Sequence, residues 1–206
     1  MQSHIYQVST TRPTTGLYIG NFHNEGTVGP DTFAQLTWLP ESGFQLTMWC
    51  YDPSPIATFF DPSEPIQYDC CMACFIDVFP RYRYKGYLSI EFNSNGVCRC
   101  SFGPNRRERS DLSNFSVLTP EVNIAHTTRD GGLCWMAKLL IPKELIEAVY
   151  GFSCKLKPGH KMRANFYTYS ENRKSTYWGS WAPIIKPNLH LSECFGLLEI
   201  VWRFSC

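Results

Sequence analysis

The stretch FAQLTWLPESGFQLTMWCY, residues 33–51, decides the fold class of this chain. Apolar and polar side chains alternate with a period of two over residues 33–38 and again over residues 44–51, as they do in a half-buried strand. Between the two runs, the sequence Pro-Glu-Ser-Gly at 40–43 has the composition of a turn. Residues 33–51 therefore predict an antiparallel β-hairpin.

Similar patterns on both sides of this hairpin predict further strands at 17–19, 74–79, 87–93, 97–102, 117–124, 133–140, 162–169 and 196–204. Asn95-Gly96 predicts a tight hairpin turn, because both residues tolerate positive φ. One helix is predicted over 142–149, where Pro142 suits the first turn and Gly151 ends it. Many short strands and one short helix predict an all-β fold, a two-sheet antiparallel β-sandwich of jelly-roll or immunoglobulin type.

The length of 206 residues favours a single domain, 1–206, with a core that needs no disulfides. A hydrophobic fraction of 44% and a charged fraction of 18% are typical of a globular protein. The net charge of +1 gives no electrostatic reason to expect nucleic acid or an acidic membrane as partner. The short basic run Arg106, Arg107 and Arg109 is interpreted as part of a solvated loop.

Residues 1–7 lack the basic start and apolar run of a signal peptide, so we expect a cytoplasmic protein as written, and a secreted one if a leader was removed. The ten cysteines are then expected to be reduced thiols. Cys71-x-x-Cys74 and Cys98-x-Cys100 supply two close pairs of sulfur ligands. However, both side chains of the second pair point the same way from a strand, which does not favour zinc.

The aromatic content is high, with 11 Tyr, 14 Phe and 6 Trp. Tyr177, Trp178 and Trp181 stand beside Gly, Ser and Pro, which predicts a loop with exposed rings. A pyranose has a face of C–H bonds that lies flat on such a ring and a rim of hydroxyls that needs paired donors and acceptors. These rings therefore predict a sugar platform, with Trp49, near a strand end, as a further candidate. The alternative is that they cover the core.

Polar residues on two predicted strands could supply the hydrogen bonds. Glu91 and Asn93 share one face of a strand, as do Arg163 and Asn165 on another. If the two strands are neighbours, these groups converge and could bind vicinal hydroxyls. The alternative is a solvated outer face. His190 adds a polar group ahead of the last strand.

An ordered set of motifs resembles a known family. The motifs are Tyr87-x-x-x-Glu91-Phe92-Asn93-x-Asn95-Gly96, the segment 135–142 ending in Leu-Ile-Pro, Arg163-x-Asn165-Phe166-Tyr167, Ser180-Trp181-x-Pro183, and residues 190–196. Over about residues 33–202 this set resembles family 9 carbohydrate-binding modules, which are β-sandwiches of the DOMON-like group. No spacing of histidines or carboxylates selects a catalytic pair.

The resemblance implies non-catalytic binding of a glucose- or xylose-type oligosaccharide or polysaccharide, in some members at chain ends. It implies a clamp of two aromatic residues, with Trp181 as the later and Trp49 as the earlier one. Arg163 and Asn165 match polar positions of the pattern. Family members can hold structural calcium, but Ala73 stands where an acidic residue is expected, and no other cofactor is predicted. The alternatives are a sugar-metabolising enzyme with Glu91 as acid–base, or a DOMON-like module that binds haem or another protein.

Overall fold

The computed structural model describes residues 5–11, 15–23, 26–82, 86–112, 118–186 and 188–202. Within these ranges the chain is almost all β. The strands are β1 Tyr6–Ser9, β2 Leu17–Tyr18, β3 Asn21–Phe22, β4 Thr32–Leu39, β5 Gly43–Cys50, β6 Cys71–Asp77, β7 Tyr87–Asn93, β8 Cys98–Gly103, β9 Ser110–Asp111, β10 Asn123–Arg129, β11 Gly132–Pro142, β12 Lys161–Ser170, β13 Tyr177–Ser180 and β14 Gly196–Val201. One α-helix, α1, spans Lys143–Tyr150, and 3₁₀ turns lie at Ile66–Tyr68 and Ser192–Cys194.

The described strands form one large, curled and continuous sheet in the order β10-β11-β5-β4-β1-β14-β12-β6-β7-β8-β9. Most neighbours are antiparallel, but β1 runs parallel to both β14 and β4. The all-β prediction is confirmed, whereas the antiparallel-only prediction is wrong because the sheet is mixed. The predicted division into two sheets is not confirmed, since β1 connects the two halves by hydrogen bonds.

The main core lies on the inner face of this curled sheet. In the predicted hairpin β4–β5, Leu36 pairs with Leu46, and both side chains are fully buried. The helix α1 buries Leu145 and Ile146 against the same core and ends at Gly151, which is left-handed at φ 77°. The helix prediction is confirmed, with Pro142 one position earlier, at the N-cap.

Two local predictions differ from the structure, and one turn has no counterpart among the predictions. The strand predicted at 117–124 begins at 123 and continues to 129, while residue 117 lies outside the described ranges. A tight turn follows it, with Asp130 at φ 48° and Gly131 at φ 82°. Asp-Gly is a standard hairpin signal, so the sequence could have shown this turn. Tyr177 and Trp178, predicted in a loop, lie in β13, which pairs with β12 and β3.

The outer face of β12, β6 and β7 carries a second, smaller cluster. Phe75, Tyr87, Tyr167 and Phe195 are buried there, with Trp178 packed against them. This second cluster lies on the same face of the sheet as the polar side chains Glu91 and Ser89 of β7. None of the described helices has the length and apolar character needed to cross a membrane.

Candidate functional site

Polar and aromatic side chains follow one another across the outer face of β12, β6, β7 and β8. Cross-strand pairing places them in two rows, Tyr167–Ala73–Glu91–Arg99 and Asn165–Phe75–Ser89–Ser101. The predicted strands with Glu91 and Asn165 are thus not direct neighbours, because β6 separates them. Their side chains nevertheless share one face, since Tyr169 of β12 reaches Glu91 across β6.

A groove of about 660 Å³ lies over this face. The strands, the segment 61–67, the turn after β8 and the segment before β14 all contribute to its lining. Its polar and aromatic residues are Asp61, Ser63, Gln67, Glu91, Arg99, Ser101, Arg106, Arg109, Asp111, Tyr169, Glu171, Trp178, Asn188 and His190. The groove therefore combines an indole with many hydrogen-bonding groups.

Arg99 fixes one wall of the groove. Its Nε donates to the carbonyl oxygen of Pro62 at 2.7 Å, and its Nη2 donates to the carbonyl oxygen of Glu64. Nη1 donates to Oε1 of Gln67 at 3.3 Å. A planar guanidinium holds three acceptors in set directions, so the segment 62–67 is tied to β8.

His190 is held above the second cluster by two donors. Its Nδ1 lies 2.5 Å from Nη1 of Arg109 and 2.9 Å from Oη of Tyr87, and its ring packs on Phe75. Arginine can only donate, so Nδ1 accepts and the proton of the neutral ring is on Nε2. Burial, followed by the positive charges of Arg109 and Arg106, lowers the pKa of His190 to about 3. The ring is therefore neutral near pH 7, and its Nε2–H is a fixed donor.

Glu91 supplies an acceptor on the floor of the groove. Its Oε2 accepts a 2.7 Å hydrogen bond from Oη of Tyr169. Burial, followed by the negative charge of Glu91, raises the pKa of Tyr169 well above its usual range, so the phenol keeps its proton. No described residue is hydrogen-bonded to Oε1 of Glu91, which leaves that oxygen as an acceptor for a ligand.

Trp178 supplies the flat surface. It is half-buried, packs on the second cluster and lines the groove. It pairs with Tyr169 in the β13–β12 ladder, which fixes its backbone beside the floor residues. Its place in β13 and its packing on the second cluster thus hold Trp178 in the lining of the groove.

Three of the nine predicted site residues line this groove: Glu91, Trp178 and His190. Three others are buried and do not line it. Tyr177 is 3% exposed, while Asn93 and Asn165 are fully buried. Nδ2 of Asn165 donates to the carbonyl oxygen of Ala182, and Oδ1 of Asn165 accepts a hydrogen bond from the backbone amide of Ala182.

The remaining three predicted residues lie outside the groove lining. Trp181 is half-buried and packs edge-on against Tyr6 and Phe166 of the main core. Nη2 of Arg163 donates to the carbonyl oxygens of Glu193 and Phe195.

Trp49 is 4% exposed, on β5. Phe33 stacks on its ring at 5.3 Å, and the Arg129 guanidinium lies 4.0 Å from the ring centroid. These contacts cover the indole, so Trp49 and Trp181 do not form the two walls of this groove.

Sequence reasoning missed Arg99, Arg109 and Tyr169. The Asn95-Gly96 turn sets the β7–β8 register and places Arg99 opposite Glu91, so Arg99 could have been found. Tyr169 continues the period-two pattern of Asn165 along β12. Arg109 belongs to the basic run 106–109, whose sequence favours a solvated loop, and nothing local indicates that it folds back onto β7 and β8.

No metal cluster is apparent in the described part of the chain, where no three His, Cys, Asp or Glu side chains are grouped to hold an ion. The nine described cysteines form no disulfide with one another. Burial raises the pKa of Cys50 to about 12 and that of Cys70 to about 11, so both are neutral thiols near pH 7.

Comparison with known proteins identifies a matching family and several solved structures with a similar fold. The model described as carbohydrate-binding family 9 matches residues 49–200. A comparison with curated proteins finds no significant match. A protein of Bacteroides uniformis ATCC 8492 for which carbohydrate binding has been suggested is 18% identical, with a TM-score of 0.74, over 96% of this chain and 97% of the other.

A family 9 carbohydrate-binding module of Caldicellulosiruptor kristjanssonii has been solved with cellotriose and with glucose. Both structures are 13% identical to this chain, with a TM-score of 0.64. The match covers 98% of this chain in each case, and 96% and 98% of the module. At these identities the likeness establishes the fold.

Proposed function

The chain belongs to carbohydrate-binding family 9, and from that premise we propose that it binds a glucose- or xylose-type oligosaccharide or polysaccharide in the groove over β12, β6, β7 and β8. The family consists of non-catalytic binding modules, so the proposed function is recognition without turnover. The complexes of the Caldicellulosiruptor kristjanssonii module with cellotriose and glucose support this class of ligand.

The observation that carries the proposal is one indole beside fixed donors and acceptors. The C–H face of a pyranose would lie on Trp178, and its hydroxyls would meet Oε1 of Glu91 and Nε2–H of His190. Both groups are already positioned by the protein, through Tyr169 and Arg109. A sugar would therefore bind without ordering these side chains first.

The size of the groove fits the same ligand class. Small-molecule sites commonly have volumes of about 300–1,000 Å³, and this groove measures about 660 Å³. Its lining is more polar than that of most small-molecule sites, as expected for a ligand with a hydroxyl on nearly every carbon.

Isothermal titration calorimetry with cellotriose, xylotriose and glucose tests the proposal. We expect Trp178→Ala to weaken binding by roughly 2 kcal/mol, about thirtyfold, from lost stacking and lost apolar burial. The matched control is Trp202→Ala, which removes an indole that is 58% exposed and does not line the groove. Unchanged affinity in folded Trp178→Ala, or no binding of any glycan by the native chain, would refute it.

A further inference from the structure

One end of the groove carries Arg109, which hydrogen-bonds only to neutral groups among the described residues. Nε of Arg109 donates to Oγ of Ser101 at 2.7 Å, Nη2 donates to Oγ of Ser89, and Nη1 bonds to His190. All three acceptors are neutral. Among the described residues the one ion pair joins Arg129 and Asp130, so no described carboxylate pairs with Arg109.

Arg109 also retains donor capacity. A guanidinium has five N–H groups, and three of them are accounted for by Ser101, Ser89 and His190. The other two have no hydrogen-bond partner among the described residues. Tyr87 packs against the guanidinium, 5.3 Å from ring centroid to Cζ, and holds its plane in place. The half-buried group is thus fixed, charged and open on the groove side.

Arg106 adds a second positive charge at the same end. The turn that carries it is ordered by Asn105, whose Oδ1 accepts hydrogen bonds from the amides of Arg107 and Glu108. Arg106 is exposed and lines the groove, whereas Arg107 does not. The charges that act on His190 are those of Arg109 and Arg106, and both are positive.

The acidic lining residues are distributed differently. Glu91 lies two residues after Ser89 on β7 and accepts a hydrogen bond from Tyr169. Asp61 and Glu171 come from the segments 61–67 and 170–172, whereas Asp111 of β9 pairs with Ser101, beside Arg109. The Arg109 end of the groove therefore carries the two positive charges of Arg109 and Arg106 against the one negative charge of Asp111.

We propose that the basic end of the groove binds a sugar carboxylate, so that the preferred ligand is an acidic oligosaccharide carrying a uronic acid. The inference rests on the proposed function, since the sugar ring beside the carboxylate would occupy the groove as described above. A carboxylate accepts two parallel hydrogen bonds from a guanidinium, and it supplies the negative charge that a hydroxyl lacks. Arg109 would hold the carboxylate, and Arg106 would attract it through solvent.

The test compares two ligands that differ at one carbon: cellotriose, and cellotriose with one C6 hydroxymethyl group oxidised to a carboxylate. By calorimetry in low salt, we expect the carboxylated triose to bind about tenfold tighter, as a charge-assisted pair would allow. Raising the salt concentration to 0.5 M should reduce that preference, because Arg106 acts across solvent.

The variant Arg106→Gln should reduce the preference about threefold, since Arg106 attracts the carboxylate through solvent and donates no hydrogen bond to a described residue. Arg107→Gln removes the same charge from the next residue and should change neither affinity. Equal affinity for the two trioses, or a preference that Arg106→Gln does not alter, would overturn the inference while leaving the proposed function intact. If neither triose binds, both are overturned.

Discussion

Asn93 was predicted to contact sugar, but its contacts predict a structural role. Its Nδ2 donates to Oδ2 of Asp69 at 2.8 Å and to the carbonyl oxygen of Phe59 at 2.9 Å. Its Oδ1 accepts from the amides of Asn95 and Val97 at 3.1 and 2.9 Å. Asn93 and Asp69 are both fully buried. Asn93→Ala therefore removes four hydrogen bonds, one of them to a buried carboxylate.

The expected cost follows from these partners. A neutral hydrogen bond contributes about 1 kcal/mol and one to a charged group about 1.5–3 kcal/mol, and water entering the space recovers part of the loss. We therefore expect Asn93→Ala to lower the free energy of unfolding by roughly 4 kcal/mol, measured by urea denaturation. The control is Asn95→Ala, which loses one side-chain bond to the Phe59 carbonyl oxygen and should cost about 1 kcal/mol.

The two roles of Asn93 make opposite forecasts. If Asn93 is structural, the variant loses stability, and any molecules that stay folded at low temperature bind cellotriose with nearly normal affinity. If Asn93 contacts ligand, the affinity falls and the denaturation midpoint stays close to that of the native chain. The second result would show that the reasoning from buried contacts is wrong.

Four further predictions follow from single sites. Burial raises the pKa of Asp77 to about 6, so between pH 4 and 6 the folded chain keeps a proton that the unfolded chain releases. The free energy of unfolding should then fall as pH rises through that window and be flatter in Asp77→Asn, which urea titrations at several pH values would show. Because the pKa of His190 is lowered to about 3, calorimetry should find sugar affinity nearly constant from pH 5 to 8, and a step near pH 6.5 would contradict the assignment. A thiol reagent at pH 8 should modify Cys50 slowly in native protein and rapidly in urea, as mass spectrometry would detect, since burial raises its pKa to about 12. In thermal unfolding, Gly43→Ala should destabilise the chain well beyond about 1 kcal/mol, because Gly43 has φ 125° and an added Cβ would lie 2.1 Å from a backbone carbonyl oxygen of β11. The control is Gly131→Ala, which should cost about 1 kcal/mol because an added Cβ there has nothing within 4 Å.

The local sequence pattern is sufficient to predict most strands, but it does not predict which strands pair with each other. The hairpin at 33–51 is explicit in the sequence because alternation, turn and pairing all lie within nineteen consecutive residues. β1 has only four residues, and its Tyr6 pairs with Leu198, which lies near the other end of the chain. No periodicity encodes that parallel pairing, so the mixed sheet could not be predicted.

The error at β13 has a physical cause in one glycine. Gly179 and Ser180 suggested a loop, because small residues are common in turns. In the structure a Cβ at Gly179 would lie 2.8 Å from Cε1 of Phe22 on the neighbouring β3. The glycine is there because another side chain packs closely on the strand, which is the second meaning of glycine in a β pattern.

Prediction of the candidate site from sequence has a similar limit, because the sequence does not show which polar side chains have all their hydrogen bonds made inside the protein. Asn93 and Asn165 have their side-chain hydrogen bonds completed inside the protein, whereas Glu91 and His190 each keep one group for the groove. Glu91 and Asn93 are polar residues two positions apart on β7, so the sequence predicts where polar groups lie but not which have spare capacity. Substituting the first kind should lower stability, and substituting the second kind should lower affinity, because a ligand can bind only to capacity that the fold has left over.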